Sequence, residues 1–226
     1  MPLPLVLVTG FGPFEDRRHN PSRAVAAALE RDPPAGLRVR ARELPVSFLA
    51  APREVERFVA RHAKSRPILV LGLGVQRKGY FRLERRARGR YTTQRVDNDG
   101  TVGASLGARV GPMLRTTLDL RALARLLRAA GAADVRISNN AGGYVCERTY
   151  HALLASAAKR ALSALFLHVP PAKDIPSRTQ ARLVRAWLAA FAAQASAMRG
   201  RSSGVSGREA AKARKRSTNS RTARPM

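Results

Sequence analysis

Short, continuous apolar runs separated by helical segments are the feature that most constrains the fold of this chain. Leu3 to Thr9 is an unbroken apolar and β-branched run that Gly10 ends, which is the pattern of a strand buried on both faces. Ile68 to Leu73 and Ala164 to Val169 are two further apolar runs. A strand with no polar face belongs in the middle of a parallel sheet that helices cover, so these runs predict a layered α/β protein.

Helices are predicted between these strands. Asn20 can cap a helix that begins at Pro21 and runs to about Glu30. The other predicted helices are Pro52 to Ala63, Leu120 to Ala130, one entered through Asn140 to Cys146, and Ser177 to Met198. Further strands are predicted at Leu37 to Val46 and Val135 to Ser138. The alternation predicts a single α/β domain over residues 1–198, a three-layer α/β/α fold with a mostly parallel twisted sheet.

Two segments depart from this alternation. Between Gly74 and Gly111 the sequence is charged and punctuated by Gly, so we expect short strands or hairpins that overhang the site. From residue 199 to residue 226, Gly, Ser, Lys and Arg replace the apolar pattern. We expect this basic tail to be disordered, because nothing in it could offset the entropy of ordering it.

The chain is strongly basic, with 42 Lys and Arg against 15 Asp and Glu and a formal charge of +27. Residues 199–226 carry nine of the basic residues and one acid, so the rest retains 33 against 14, or +19. Such a charge attracts nucleic acid, acidic membrane surfaces or anionic substrates without a specific site. Arginine is scattered over helices and loops, which favours a solvated surface with non-specific polyanion contact through the tail.

The single cysteine, Cys146, excludes an intramolecular disulfide, so a cytoplasmic setting is expected. The N-terminus lacks a basic n-region and reaches a turn too early for a secretion signal. No apolar run approaches the roughly 20 residues that span a bilayer. We therefore expect a soluble protein without membrane contact. The sequence leaves the oligomeric state open, a homo-oligomer included.

The stretch ISNNAGGYVCERTY, from Ile137 to Tyr150, carries the strongest chemical signal. It predicts a strand, a Gly-rich turn and a helix with Cys146 near its start. Unpaired N–H groups and the helix dipole there favour a thiolate, which predicts a lowered pKa for Cys146 and an oxyanion-binding site beside it. The alternative is a small buried cysteine, but a Gly-rich turn at the carboxyl end of a strand lets a substrate approach the backbone.

A cysteine nucleophile needs a base, and His168 is the best placed of the four histidines. It ends the apolar strand that begins at Ala164, so it also lies at a carboxyl edge and could face Cys146. A structural histidine is an equally good interpretation on periodicity alone. Glu84 is the candidate for orienting the imidazole, the alternative being a surface acid paired with the arginines of RLERRARGR.

Three segments together resemble the pyroglutamyl peptidase type I family, cytoplasmic cysteine peptidases that remove an N-terminal pyroglutamyl residue. The resemblance covers roughly Leu5 to Pro170. It is carried by an opening loop VTGFGPFEDRRHNPS (Val8 to Ser22), a nucleophile segment SNNAGGYVC (Ser138 to Cys146) and a histidine segment FLHVP (Phe166 to Pro170). It implies a peptide substrate with an N-terminal pyroglutamate, an acyl-enzyme, and no metal or cofactor.

The resemblance also implies roles for individual residues. Cys146 matches the nucleophile, His168 the base, and Glu84 the catalytic glutamate of an ER pair. Arg95 matches the arginine that helps to stabilise the oxyanion. The positions that match the lactam pocket are Phe11, Phe14, Asn20, Val96, Tyr144 and Val145.

The chain departs from the family pattern near its third strand. The family has a glutamine there that contacts the lactam, whereas this chain has Leu71-Gly72-Leu73-Gly74 and offers Gln76 a few residues later. Arg86 and Arg88 stand where the family has apolar residues. A catalytically divergent protein on the same scaffold, binding nucleic acid or other polyanions through its basic surface, is the alternative function. Nucleotide binding fits poorly, because GLGVQRKG does not give the G-x-G-x-x-G pattern.

Overall fold

Eight strands form the sheets of the computed structural model, which describes residues 2–14, 19–90, 93–107 and 111–197. They are β1 (Leu5–Phe11), β2 (Arg38–Leu44), β3 (Leu69–Val75), β4 (Phe81–Glu84), β5 (Arg86–Ala87), β6 (Leu114–Arg115), β7 (Val135–Ser138) and β8 (Ala164–Val169). The central sheet has the order β2-β1-β3-β8-β4-β7, and β5 pairs with β6 separately.

Within the described ranges, five helices cover the central sheet. They are α1 (Pro21–Arg31), α2 (Ala50–His62), α3 (Leu120–Ala129), α4 (Val145–Ala158) and α5 (177–197), with 3-10 turns at Ala63–Ser65 and Gly103–Leu106. The Asn20 side chain caps α1 by accepting from the backbone N–H of Ser22, and Asp119 caps α3 in the same way. The helices and strands predicted from apolar periodicity are confirmed, with ends that differ by one to a few residues.

Two apolar clusters lie on opposite faces of the sheet. Val6 and Val8 of β1 pack into one cluster with residues of α1, α3 and α5, while Leu5 and Leu7 pack into the other with residues of α2 and α4. Successive side chains of one strand point to opposite faces, so both faces of β1 are buried. This arrangement is the predicted three-layer α/β/α fold.

Strand direction changes on one side of the sheet. β2, β1, β3 and β8 run parallel, whereas β4 is antiparallel to β8 and parallel to β7. The prediction that Cys146 follows a strand ending at the same edge as His168 is therefore wrong. β7 ends at Ser138, level with Phe166, and Cys146 follows as the second residue of α4. Apolar periodicity carries no information about strand direction, which explains the error.

The expectation that the segment between Gly74 and Gly111 overhangs the site is wrong for part of its length. Its residues Phe81–Glu84 form β4, which lies inside the central sheet between β8 and β7. Phe81 and Leu83 point into the cluster shared with α3 and α5, while Arg82 and Glu84 point to the other face. Only Phe81 and Leu83 alternate with polar residues here, and arginines surround them, so the sequence pattern does not predict a strand.

None of the helices in the described ranges is long and apolar enough to cross a membrane. The basic tail expected at 199–226 lies outside the described residues.

A close approach between β1 and α1 gives a stability prediction. The N–H of Phe11 donates to the Ser22 hydroxyl at 3.0 Å, and a Cβ on Gly10 would lie 2.6 Å from the Ser22 carbonyl carbon. Backbone atoms cannot swing away, so Gly10→Ala should lower the free energy of unfolding by about 1–3 kcal/mol. Urea unfolding followed by circular dichroism measures this.

Gly12→Ala is the matched control for this substitution. A Cβ on Gly12 would meet the carboxyl end of the flexible Glu43 side chain, at 2.6 Å, and that side chain can move. Gly12 is buried like Gly10, but only a movable side chain meets the added Cβ, so we expect a smaller loss than at Gly10, about 1 kcal/mol or less. Equal losses at Gly10 and Gly12 would show that the approach of β1 to α1 is not the constraint.

Candidate active site

Cys146 lies against β3, a central strand of the sheet. β3 is the neighbour of β8, the strand that carries His168. Cys146 is the second residue of α4, where backbone N–H groups have no acceptor within the helix. Gly74 on β3 pairs with His168 on β8, and a Cβ on Gly74 would lie 3.0 Å from the Cys146 sulfur and 2.8 Å from the Phe166 ring. A glycine at this position therefore lets the thiol approach the strand beside His168.

A buried hydrogen bond joins His168 to Glu84. The imidazole Nδ1 is 2.8 Å from Glu84 Oε1, and both side chains are almost inaccessible to solvent. An ionised carboxylate only accepts, so Nδ1 carries the proton and Nε2 is the basic nitrogen. Within the described part of the chain, no hydrogen bond joins the Cys146 thiol to His168. The two side chains must move closer for a proton to pass directly between them.

Arg82 is the third member of this cluster. It lies directly opposite His168 in the β4–β8 pair. Its Nε donates to Glu84 Oε1 at 2.5 Å, and a terminal nitrogen lies 3.2 Å from His168 Nδ1. The same carboxylate oxygen thus serves both the arginine and the imidazole.

The electrostatics of the cluster favour a neutral base. Burial lowers the pKa of His168 below its usual 6.5, and the Arg82 charge acts in the same direction. The hydrogen bond and charge of Glu84 oppose this change without overcoming it. His168 is therefore unprotonated at neutral pH and can accept a proton.

The Cys146 thiol is also neutral at rest, so the predicted lowering of its pKa is wrong. Burial raises the pKa of Cys146 to about 12, and the Glu84 charge adds to this. Arg82 and the backbone N–H of Cys146 oppose the rise but are weaker. Part of the residue is open to solvent, but its side chain packs against the apolar cluster that includes Phe166. The Cys146 thiol is therefore protonated at neutral pH.

A cavity of about 690 Å³ opens beside Cys146. Of the residues that the resemblance places in a lactam pocket, those lining the cavity are Phe11, Phe14, Asn20, Tyr144 and Val145. Val96 does not line it: 53% of Val96 is exposed, and its carbonyl accepts a hydrogen bond from the Tyr144 hydroxyl at 2.7 Å. Val96 thus positions Tyr144 through its backbone.

An aromatic wall holds Arg95 at the cavity. The Tyr144 ring lies 5.4 Å from Phe14 and 5.2 Å from Phe48, measured between centroids. The guanidinium of Arg95 lies 4.9 Å from the Tyr144 centroid and 5.2 Å from that of Phe14. Attraction between a cation and two ring faces fixes a positive charge beside the space that Cys146 faces.

Gln76 enters the same cavity, although its place in the sequence differs from the family pattern. Strand β3 continues to Val75, and the N–H of Gln76 donates to the Val169 carbonyl at 3.1 Å. Its side-chain nitrogen donates to the Tyr80 carbonyl, while Oε1 is buried and has no partner among the described residues. The prediction that β3 ends at Leu73 concealed this position.

Glu147 is a buried acid that no pattern in the sequence singles out. It is fully buried next to Cys146, and its Oε1 accepts from the backbone N–H groups of Arg88 and Gly89. Burial raises the pKa of this carboxyl group. The contact ties α4 to the segment that follows Glu84. In the described ranges, no three or more His, Cys, Asp or Glu side chains are grouped as a metal site.

The raised pKa of Cys146 can be tested by alkylation. Because the chain has one cysteine, the mass of the digested peptide that contains Cys146 reports the alkylation of this thiol by iodoacetamide separately from that of the lysines. The alkylation rate should stay low at neutral pH and rise steeply only in strongly alkaline solution, towards a midpoint near 12. Urea-unfolded protein, where the thiol is solvated, is the control. A midpoint near neutral pH in the folded protein would contradict this account.

The family of the chain is shown by comparison with known proteins. A family model described as pyroglutamyl peptidase matches residues 5–186. A pyrrolidone-carboxylate peptidase from Streptomyces coelicolor is 33% identical over 83% of this chain and 91% of its own length. Pyrrolidone-carboxylate peptidase 1 of Ralstonia nicotianae is 31% identical over 74% and 79%.

A solved structure gives the same result. The pyrrolidone carboxyl peptidase from Thermococcus litoralis superimposes with a TM-score of 0.72 and 25% identity, covering 82% of this chain and 92% of that one. The mostly parallel α/β fold and the sequence segments around the cavity therefore have one explanation: this chain belongs to the pyroglutamyl peptidase family.

Proposed function

We propose that this protein removes an N-terminal pyroglutamyl residue from peptides, with Cys146 as nucleophile and His168 as its general base. The observation that carries the proposal is the buried 2.8 Å hydrogen bond between His168 and Glu84, beside the single cysteine of the chain. A carboxylate that fixes the imidazole tautomer is what a nucleophile and base pair requires. Membership of the pyroglutamyl peptidase family supports this choice of reaction.

The cavity suits a small uncharged ring. A five-membered lactam is flat and offers one N–H and one carbonyl, so aromatic walls and a few polar partners can hold it. Phe11, Phe14 and Tyr144 provide the walls. Asn20 lines the same space, although its amide is already engaged in capping α1 and in donating to the Gly12 carbonyl at 2.9 Å. Recognition by opposite charge is not required.

The reaction begins with two neutral side chains. His168 Nε2 takes the thiol proton as the Cys146 sulfur attacks the carbonyl carbon after the lactam ring. Glu84 stabilises the imidazolium that forms. When the tetrahedral intermediate collapses, the C–N bond breaks and His168 gives its proton to the leaving amine. Water, deprotonated by His168, then cleaves the thioester and releases pyroglutamate and the thiol.

The charge that develops on the carbonyl oxygen has two sources of stabilisation within reach. The N–H groups at the start of α4 are the first, since they lie at the positive end of the helix dipole. Arg95, held on the aromatic wall of the cavity, is the second. We assign Arg95 the role of oxyanion partner.

Polyanion binding is the weaker alternative. It rests on the overall charge and on residues 199–226, which lie outside the described part of the chain. Hydrolysis, by contrast, depends on Cys146 and His168. The two functions differ in their response to substitution at these residues.

Hydrolysis of a chromogenic pyroglutamyl amide tests the proposal. Wild-type protein should cleave it and leave the matching prolyl amide, which lacks the lactam carbonyl, intact. Cys146→Ser should reduce kcat/KM on the order of 10³-fold or more, because an alcohol is the weaker nucleophile here. Glu84→Gln should lower kcat by roughly 10²–10⁴-fold with little change in KM. A folded wild type that cleaves neither amide would refute the proposal.

The pH dependence of kcat/KM tests the state of the base. Protonated His168 cannot accept the thiol proton, so activity is lost as the pH falls through the pKa of His168. Because that pKa is lowered, the acid limb should have its midpoint below 6.5, the ordinary imidazole value. A midpoint at or above 6.5 would mean that Glu84 outweighs burial and Arg82.

A further inference from the structure

Arg82 contacts both Glu84 and His168 but has no role in the proposed reaction. Its side chain is 23% exposed, so most of it is removed from water, and its guanidinium lies beside Glu84. Its Nε donates to Glu84 Oε1 at 2.5 Å, the oxygen that also accepts from His168. Glu84 Oε2 is buried and has no partner among the described residues. Both donors therefore converge on one oxygen.

The contact between Arg82 and His168 cannot be a hydrogen bond in the catalytic tautomer. Nδ1 carries a proton that it donates to Glu84, so it has no lone pair for the arginine nitrogen 3.2 Å away. A fixed positive charge at that distance opposes a second positive charge on the imidazole. Arg82 also forms a salt bridge with Glu84, so the positive charge of Arg82 partly offsets the negative charge that would stabilise an imidazolium.

The other groups around His168 do not replace this effect. From α4, Cys146 and Glu147 face the cluster as a neutral thiol and a buried carboxyl group. Tyr150, also on α4, donates its hydroxyl to the backbone carbonyl of Glu84 at 2.8 Å. On β3 the neighbours are Leu73, Gly74 and Val75, which do not titrate. On β8 the Phe166 ring lies 5.0 Å from the imidazole. Arg82 is therefore the one described cation in direct contact with His168.

We propose that Arg82 is a positioning residue of this site, which holds the Glu84 carboxylate in place and sets a permanent positive charge beside the imidazole. Its effect is to keep His168 neutral in the resting protein, ready to take the thiol proton, and to favour return of that proton to the leaving amine. The catalytic consequence rests on the proposed function. The electrostatic part does not, because it concerns the resting side chains alone.

Titration of the His168 ring by NMR tests the inference without any substrate. Protein with isotope-labelled histidine is titrated as wild type, Arg82→Met, Arg82→Lys and Arg136→Met, and the His168 signal is assigned by its loss in His168→Asn. Removing the charge in Arg82→Met should raise the midpoint by about one pH unit, the low end for a neighbouring charge. Arg82→Lys, which keeps the charge, should stay close to wild type.

Arg136→Met is the matched control. Arg136 pairs with Arg82 across the β4–β7 ladder but forms its salt bridge with Asp134, so its loss should leave the His168 midpoint unchanged. If Arg82→Met does not fold, Arg82→Gln makes the same comparison, since it keeps a donor for Glu84 without the charge.

An unchanged midpoint in Arg82→Met, or an equal rise in Arg82→Lys, overturns the inference. Where the pyroglutamyl amide is cleaved, the acid limb of kcat/KM should move with the NMR midpoint. A shifted midpoint in a protein that cleaves no pyroglutamyl amide would support the role of Arg82 and reject the proposed function, so the two failures are distinguishable.

Discussion

The buried hydrogen bond between Glu84 and His168 is the interaction on which the site depends. It joins β4 to β8, and these strands run in opposite directions. This antiparallel pairing brings a carboxylate from the middle of the chain to the end of β8. Without it, His168 would be a neutral imidazole with no fixed tautomer. The reversal of β4 and β7 within a mostly parallel sheet therefore has a chemical consequence.

Close packing around Cys146 imposes the second constraint. The Cys146 side chain packs beside Gly74 of β3 and against the apolar cluster that includes Phe166, where burial penalises a thiolate more than the start of α4 favours it. A neutral thiol beside a neutral imidazole is therefore the resting state. This arrangement differs from that of cysteine sites which hold a preformed thiolate and imidazolium pair.

Much of the fold and part of the site could be predicted from the sequence. The apolar runs of β1, β3 and β8 are long and continuous, and Asn20 followed by Pro21 is a strong helix start, so these elements were identified correctly. Cys146 was placed near a helix start and His168 at a strand end because each follows a clear local pattern. Both positions are confirmed, while their catalytic roles remain predictions.

The rest depends on long-range contacts that local patterns do not encode. Strand β4 is four residues long and bordered by arginines, so the sequence does not predict it as a strand. The positions of Arg82 and Glu84 beside β8 therefore could not be predicted either. The sign of the Cys146 pKa shift depends on how deeply the folded chain buries the thiol. Val96 was assigned to the cavity by resemblance, whereas its backbone carbonyl is what contacts Tyr144. The position of Gln76 in the cavity could not be predicted, because β3 extends two residues beyond its predicted end.

The central claim is that Cys146 carries a covalent acyl intermediate, and acid-quench mass spectrometry tests it most directly. Protein mixed with excess pyroglutamyl amide is quenched during turnover, digested and analysed. The account predicts a mass increase of one pyroglutamyl group on the peptide that contains Cys146. Turnover accompanied by an adduct on another residue, or turnover that persists in Cys146→Ala, would contradict it.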